Sequence, residues 1–269
     1  GVGFAGIVSI SGNRVVLDKN EALVTMAADR GTAKTIRVLY GPFLREWPVG
    51  HTNFNKKYAR IEALMPGLDG GVDSYITPRG NILNDLSIEL PLTDLVRMST
   101  TWVGTDTPEP STVRDVWTKV LEPVMAEPFD TTTSYRRRRL CTLAGVEVCT
   151  ELKDMTLTIS NGAEPEKVQD RYGAFKINLG DRTAEGNSNW LLDEPDVLSS
   201  IRNHDRLTLD VALGGEEGGV YLDFPDVRIS DGNLGLDRNT TVTTAIMITP
   251  EKHKTKGYMV GVTRFPYLP

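Results

Sequence analysis

The residues able to do chemistry are few and widely spaced. His51, His204 and His253 lie in different segments, and none has a second His or Cys at the spacing of a zinc-ligand pair. Asp223, Asp226, Asp231 and Asp237 offer carboxylates for calcium, but their spacing departs from the D-x-D-x-D-G loop, and Asp231 is accounted for by a turn. Ser199, Ser200, His204 and Asp205 are of the types found in a hydrolase triad, yet no nucleophile elbow frames them and a short surface helix explains them. The stretch "GVGFAG" matches G-x-G-x-x-G at Gly1, Gly3 and Gly6. That pattern binds a dinucleotide only when it links a strand to a helix N-terminus, and a flexible glycine-rich start accounts for it here. No P-loop occurs. Catalytic, cofactor-binding and metal-binding residues are therefore expected to be absent, and the chain is not expected to be an enzyme.

The densest charge is "YRRRRL", which sets Arg136, Arg137, Arg138 and Arg139 side by side. Such a run can grip phosphates. The chain around it is acidic, however, with 30 Lys and Arg against 36 Asp and Glu and a formal charge of -6. Proteins that live on nucleic acid usually carry a basic excess or a basic face, so a solvated or subunit-facing cluster is the expected role.

The elements that would hold these residues are mostly strands. In "RLTLDVAL" the residues Leu207, Leu209, Val211 and Leu213 alternate with Thr208, Asp210 and Ala212, the pattern of a half-buried strand. "GGEEGG" supplies a turn and "VYLDF" repeats the pattern with Val220, Leu222 and Phe224, which together predict a hairpin. In "FPDVRISDGNLGLD" a turn centred on Asp231-Gly232 would set Ile229 opposite Leu234 and Val227 opposite Leu236. "MTLTIS", "TVTTAIMIT" and "GYMVGVTRF" read as further strands, and "LSIELPL" as one whose Pro91 suggests a sheet edge. Two helices interrupt them. The spacing of Val113, Val116, Trp117, Val120 and Leu121 after Thr112 predicts one, ended by Pro123, and "DEPDVLSSIRNHD" predicts a shorter one that stops at Asn203.

Cys141 and Cys149 would stand opposite each other across a three-residue loop, Ala144 to Val146, and would be offset by a two-residue turn. Two half-buried thiols are the expected state in a reducing cytoplasm. No apolar run approaches the roughly 18 residues needed to span a bilayer. The start lacks the positive flank of a signal peptide, so a soluble, cytoplasm-made protein with no membrane contact is expected. Between Gly41 and Gly80 the sequence has several Pro, Gly and Asn and no sustained period, which predicts a long functional or interaction loop.

The run "KDMTLTISNGAEPEKVQDRYGAFKINLGDRTAEGNSNWLLDEPDVLSSIRNHDRLTLDVAL" resembles the family of phage major tail tube proteins of long, non-contractile tails, the siphophage type. The features that carry the resemblance come in the family's order: Ser160-Asn161, then Gly173-Ala174-Phe175, then Ile201-Arg202-Asn203. The closing "DFPDVRISDGNLGLDRNTTVTTAIMIT" and "FPYLP" are also similar, and "NILNDLSIELPLTDLVRMSTTWVGTD" resembles the N-terminal strand and helix region more loosely. The segment from Gly41 to Gly80 and the stretch "TTTSYRRRRLCTLAGVEVC" fall outside it.

The resemblance implies a mainly β, tail-tube-type sandwich or barrel with one or two short flanking helices, here a single domain over residues 1–269 with a loop insertion at about 41–80. It also implies a structural virion protein. Six subunits would join their sheets into a ring, and rings would stack into the conduit for genome delivery. Its partners would be further copies of itself, a tape measure protein, and terminator and baseplate proteins, with genomic DNA passing through without specific binding. Assembly in the host cytoplasm and residence in the virion tail follow. A secretion-system tube protein of the same fold is the alternative, though such chains are usually shorter, and a glycan-binding β-sandwich is a weaker one, because Trp47, Trp102, Trp117 and Trp190 are scattered. On this reading Trp47, Phe54, Tyr58 and Met65 are apolar anchors of a loop that reaches the neighbouring ring. Arg136 to Arg139 lie at a subunit contact or on the outer wall, with Glu216, Glu217, Asp193, Glu194 and Asp196 as acidic candidates on a neighbour.

Overall fold

Period-two alternation turns most of the chain into strands, because every second side chain of an extended segment faces the same way and the set can be buried together. The computed structural model describes residues 7–12, 14–17, 43–45, 52, 54–115, 135–143, 147–149, 152–191, 196–215, 218–235 and 242–265. In chain order the strands are β1 (Ile7–Ser11), β2 (Arg14–Leu17), β3 (Phe43–Arg45), β4 (Ala63–Asp69), β5 (Val72–Ile76), β6 (Ile82–Leu90), β7 (Arg97–Val103), β8 (Tyr135–Thr142) and β9 (Glu147–Cys149). They continue with β10 (Leu152–Ser160), β11 (Ala163–Glu166), β12 (Lys176–Leu179), β13 (Thr183–Leu191), β14 (Arg206–Gly215), β15 (Gly218–Gly235), β16 (Thr243–Pro250) and β17 (Gly261–Phe265), with helix α1 (Asp196–Asn203) before β14. The protein is mainly β, as the sequence leads one to expect.

An 11-stranded sheet runs β7-β6-β10-β13-β16-β15-β14-β8-β9, and β17 joins it through β15 and pairs in turn with β3. The pairs β1–β2, β4–β5 and β11–β12 form separate ladders. Strand β15 is the axis. Its first part pairs with β14 and β17, and its last part with β16. Leu207 pairs with Val227 and Leu209 with Phe224, so β15 carries one residue more than β14 there and bulges around Pro225-Asp226. A bulge is where a strand can hold a proline, which has no N–H for the ladder, and it bends the strand so that one chain segment can serve two packed layers. Residues of both limbs meet in one core: Ile88, Leu157 and Ile248 from the β6–β16 side with Leu140, Leu209, Val211 and Phe224 from the β8–β15 side.

The β14–β15 hairpin is present as the pattern predicts, closed by the pair Gly215 and Gly218. Leu207, Leu209, Val211 and Leu213 are buried, but so are Asp210 and Ala212, so β14 is covered on both faces rather than half-buried. Pro91 does not mark an edge strand: β6 lies between β7 and β10, and the proline falls one residue past its end.

No turn forms at Asp231-Gly232. β15 runs straight through, Ile229 pairs with Ile248 and Leu234 with Thr244, and the extra residue becomes a bulge between Ser230 and Asn233. The glycine answers to a different need. A Cβ on Gly232 would lie 2.5 Å from Cδ1 of Ile201, so the residue leaves room for α1 to pack on the strand.

Helix α1 ends at Asn203, as expected. His204 takes a left-handed φ of 52°, its N–H bonds to the Ile201 carbonyl at 3.1 Å, and the Asp205 N–H bonds to the Ser200 carbonyl at 2.9 Å. This is a Schellman cap. The helix expected after Thr112 lies largely outside the described residues. Strand register offsets the two cysteines: Cys141 stands opposite Glu147, and Cys149 opposite Leu140.

Candidate functional site

With the core accounted for, what is left for function is surface, and it concentrates around β7 and the segment before β6. Of the span 41–80, Phe43–Arg45 joins the main sheet as β3, while residues 54–80 hold a separate hairpin, β4–β5, paired from Ala63 opposite Ile76 to Asp69 opposite Val72. Two ties fix its base: Tyr75 and Ser111 exchange backbone bonds at 2.8 and 3.0 Å, and Arg114 Nε meets Glu62 Oε1 at 2.7 Å. The start of the segment is sewn to β6. Ala59 and Asn81 exchange backbone bonds, and the buried Asn81 side chain donates from Nδ2 to the carbonyls of Pro78, at 2.8 Å, and Ala59, at 3.2 Å. Gly104 lies against the same amide; a Cβ there would come within 2.5 Å of Asn81 Oδ1. Asn81 therefore pins the direction in which the extension leaves the sheet.

The four anchors expected in this extension have different environments. Trp47 lies outside the described residues. Phe54 is half-buried, with the Arg182 guanidinium carbon 5.3 Å from its ring centre, and Met65 is half-buried on β4. Tyr58 is 56% exposed. Lys56 stands 5.4 Å from the Tyr58 ring centre and donates from Nζ to the Ile177 carbonyl at 2.6 Å, linking the extension to β12. Leu64, Val72 and Ile61 are also exposed there, a set of apolar side chains that sequence alone did not single out.

The arginine run sits on β8, whose backbone pairs Arg136 with Leu213, Arg137 with Ala212, Arg138 with Val211 and Arg139 with Asp210 of β14. Glu216 and Glu217 lie outside the described residues. Asp193 and Glu194 are outside them too, and Asp196 begins α1. The register thus sets the start of the run, Tyr135 and Arg136, beside Gly214 and Leu213 near the end of β14.

Two charged clusters escaped sequence reasoning. Arg206 and Arg228 stand directly opposite each other on β14 and β15, where like charges repel unless something neutralises them. Asp226, 2% exposed, takes both Nε and Nη2 of Arg206, while Glu251 bridges Arg206 Nη2 at 3.2 Å and Arg228 Nε at 2.8 Å. In the second, Tyr258 donates its hydroxyl to Asp223 Oδ2 at 2.6 Å beneath the Arg45 guanidinium of β3, 5.0 Å from the ring centre. Burial first, and then the Asp223 carboxylate, push the Tyr258 phenol well above the ordinary tyrosine range. At the surface, bonds from Asn178 and Lys176 hold the Glu166 carboxyl below its ordinary value.

His51 lies outside the described residues, and the other two histidines serve the backbone. His204 is the helix cap, and His253 Nδ1 accepts the N–H groups of Thr255 and Lys256 at 3.1 and 3.0 Å. Among the described residues no three His, Cys, Asp or Glu side chains converge where a metal ion would bind, and no helix is long and apolar enough to cross a membrane. Among the described residues the conspicuous exposed groups around β7 and β4–β5 are apolar.

Comparison with known proteins agrees with this description. The model of a family described as phage tail tube protein matches residues 20–251. A search of curated proteins gave no match.

Proposed function

Because the chain belongs to the phage tail tube protein family and is thereby a structural component of the virion tail, we propose that it forms hexameric rings that stack into the tube through which the genome leaves a siphophage-type particle. The observation that carries this is the surface itself: among the described residues, the end strand β7 of the large sheet and the β4–β5 hairpin present apolar side chains to solvent beside a well-buried core. Strand edges and apolar patches of this kind are stable when copies cover one another.

In this reading the extension with Phe54, Tyr58 and Met65, and with Trp47 before it, reaches the next ring. The run Arg136 to Arg139 lies away from the channel, at a subunit contact or on the outer wall, with Glu216 and Glu217 as its acidic counterparts. A channel lined by arginines would meet passing phosphates well within the roughly 8 Å screening length of physiological salt, and each contact would have to break for DNA to advance. The formal charge of -6, repeated around a ring, favours a wall that repels the backbone instead. Tape measure, terminator and baseplate proteins are the remaining partners, and assembly takes place in the host cytoplasm.

Negative-stain electron microscopy of the purified protein tests this. Rings and stacked tubes are the expected result, and a protein that stays monomeric at high concentration, with no tubes in virions, overturns it.

A further inference from the structure

One cross-strand row runs across the large sheet. Ile229 pairs with Ile248, Ile248 with Gly186, Gly186 with Leu157, Leu157 with Ile88, and Ile88 with Met98. Directly paired residues of an antiparallel ladder share a face, so these positions form one line, in which the Leu157 side chain lies against Gly186, which has none. Its interior members are buried: Ile248 is 1% exposed, Leu157 0% and Ile88 8%. Met98, the last, is 69% exposed. The layer that covers the row stops at β6, and β7 extends past it.

Strand β7 carries few of the devices that protect an edge: Arg97 at its start and one bulge in its pairing with β6, between Leu83 and Asp85. From Met98 to Val103 it holds no charge and no proline, and its exposed side chains include Trp102, whose Nε1 bonds to Thr100 Oγ1 at 3.1 Å on the same face as Met98. Leu92 and Leu95, in the connection before it, are exposed as well. The nearest ion pair, Arg97 with Asp94 at 2.9 Å, stands at the very start of the strand and leaves the rest neutral. A partner that covers Met98 to Val103 therefore meets no charged side chain of that stretch and extends an apolar row already in place.

The geometry points to β7 as the face on which a second copy of this chain docks, burying Met98 and Trp102 as the continuation of the core. This rests on the tube reading, which supplies identical neighbours around a ring; closing a ring takes a head-to-tail contact, so the neighbour meets β7 with a different part of its own surface.

Oxidation of methionine by dilute hydrogen peroxide, read residue by residue by mass spectrometry, tests the inference on the unaltered protein, because susceptibility follows exposure. In the monomer Met98 should react far faster than the buried Met259. In tubes assembled from the purified chain alone, its rate should fall to that of Met259. The variant Met98→Glu should fold as the unaltered chain does and lose assembly, while Met98→Leu keeps it. Tubes in which Met98 oxidises as fast as in the monomer, or Met98→Glu tubes formed at the usual concentration, overturn this inference and leave the tube reading standing. Protection in virions but not in tubes of the chain alone also overturns it, because the cover is then another virion protein. A chain that forms no tubes under any condition removes both.

Discussion

The two ends of the large sheet make opposite use of similar residues. Around β14, β15 and β16 the sheet is closed on itself: Phe224, Val227, Leu209 and Val211 have no exposure, and even the charged Asp226 is enclosed and neutralised by Arg206, in a network that Glu251 and Arg228 extend. At β7 the same sheet ends with Met98 and Trp102 in solvent, on a strand paired to β6 along its length but for one bulge between Leu83 and Asp85. Backbone pairing without burial separates what holds a strand in the sheet from what covers it. On the proposed reading the closed end keeps the subunit folded, and the open end is left for a neighbour.

Two tryptophans break or sharpen this contrast most strongly. Trp190, fully buried and bonded from Nε1 to Ser188 Oγ at 2.7 Å, should cost about 3–5 kcal/mol when changed to Ala. Trp102→Ala should change monomer stability by no more than about 0.5 kcal/mol, the range of an ordinary surface substitution, and should instead weaken assembly. Urea denaturation of the two monomers beside sedimentation of the assembled material checks both. A large loss of monomer stability from Trp102→Ala would mean that β7 belongs to the closed core after all.

The charged network is next. Asp226→Ala leaves Arg206 without its bidentate partner and should destabilise the monomer by about 3 kcal/mol, measured by the same denaturation, with assembly following stability and not vanishing separately. Asn81→Ala should cost about 1–2 kcal/mol for two lost hydrogen bonds to backbone carbonyls. Its distinguishing effect is local: hydrogen exchange should rise over residues 54–80 and stay unchanged in β14 to β16. Uniform change across both regions would contradict the idea that the extension is pinned independently of the core.

The smallest expected effect is a pH dependence at Tyr258. Its phenol titrates above the ordinary value of about 10 in the folded state, so the unfolded chain releases that proton first. The stabilisation is therefore full below the ordinary tyrosine value and is lost as pH rises towards the folded one. Tyr258→Phe should flatten this alkaline loss; an unchanged slope would assign it to other groups.

How much of this was legible in the sequence follows from how local each signal is. Period two over Leu207 to Leu213 and over Met155 to Ile159 located core strands, because alternation is written within one strand. The turn at Asp231-Gly232 misled because a glycine reports only that something comes close, and what comes close is Ile201, thirty-odd places of folding logic away from the local pattern. The β4–β5 hairpin was hidden for a related reason: its strands bury little, so no apolar alternation marks them. Asn81 was invisible, since one amide among polar neighbours says nothing of the carbonyls it will meet. The opposed pair of Arg206 and Arg228 becomes readable only once the register of β14 on β15 is known.

An image reconstruction of tubes assembled from the purified chain tests the central claim most directly. The account predicts sixfold rings in which β7 is covered by the adjacent subunit, the β4–β5 hairpin crosses to the next ring, and Arg136 to Arg139 point away from the axis. Assemblies without sixfold symmetry, or arginines directed into the channel, would contradict it.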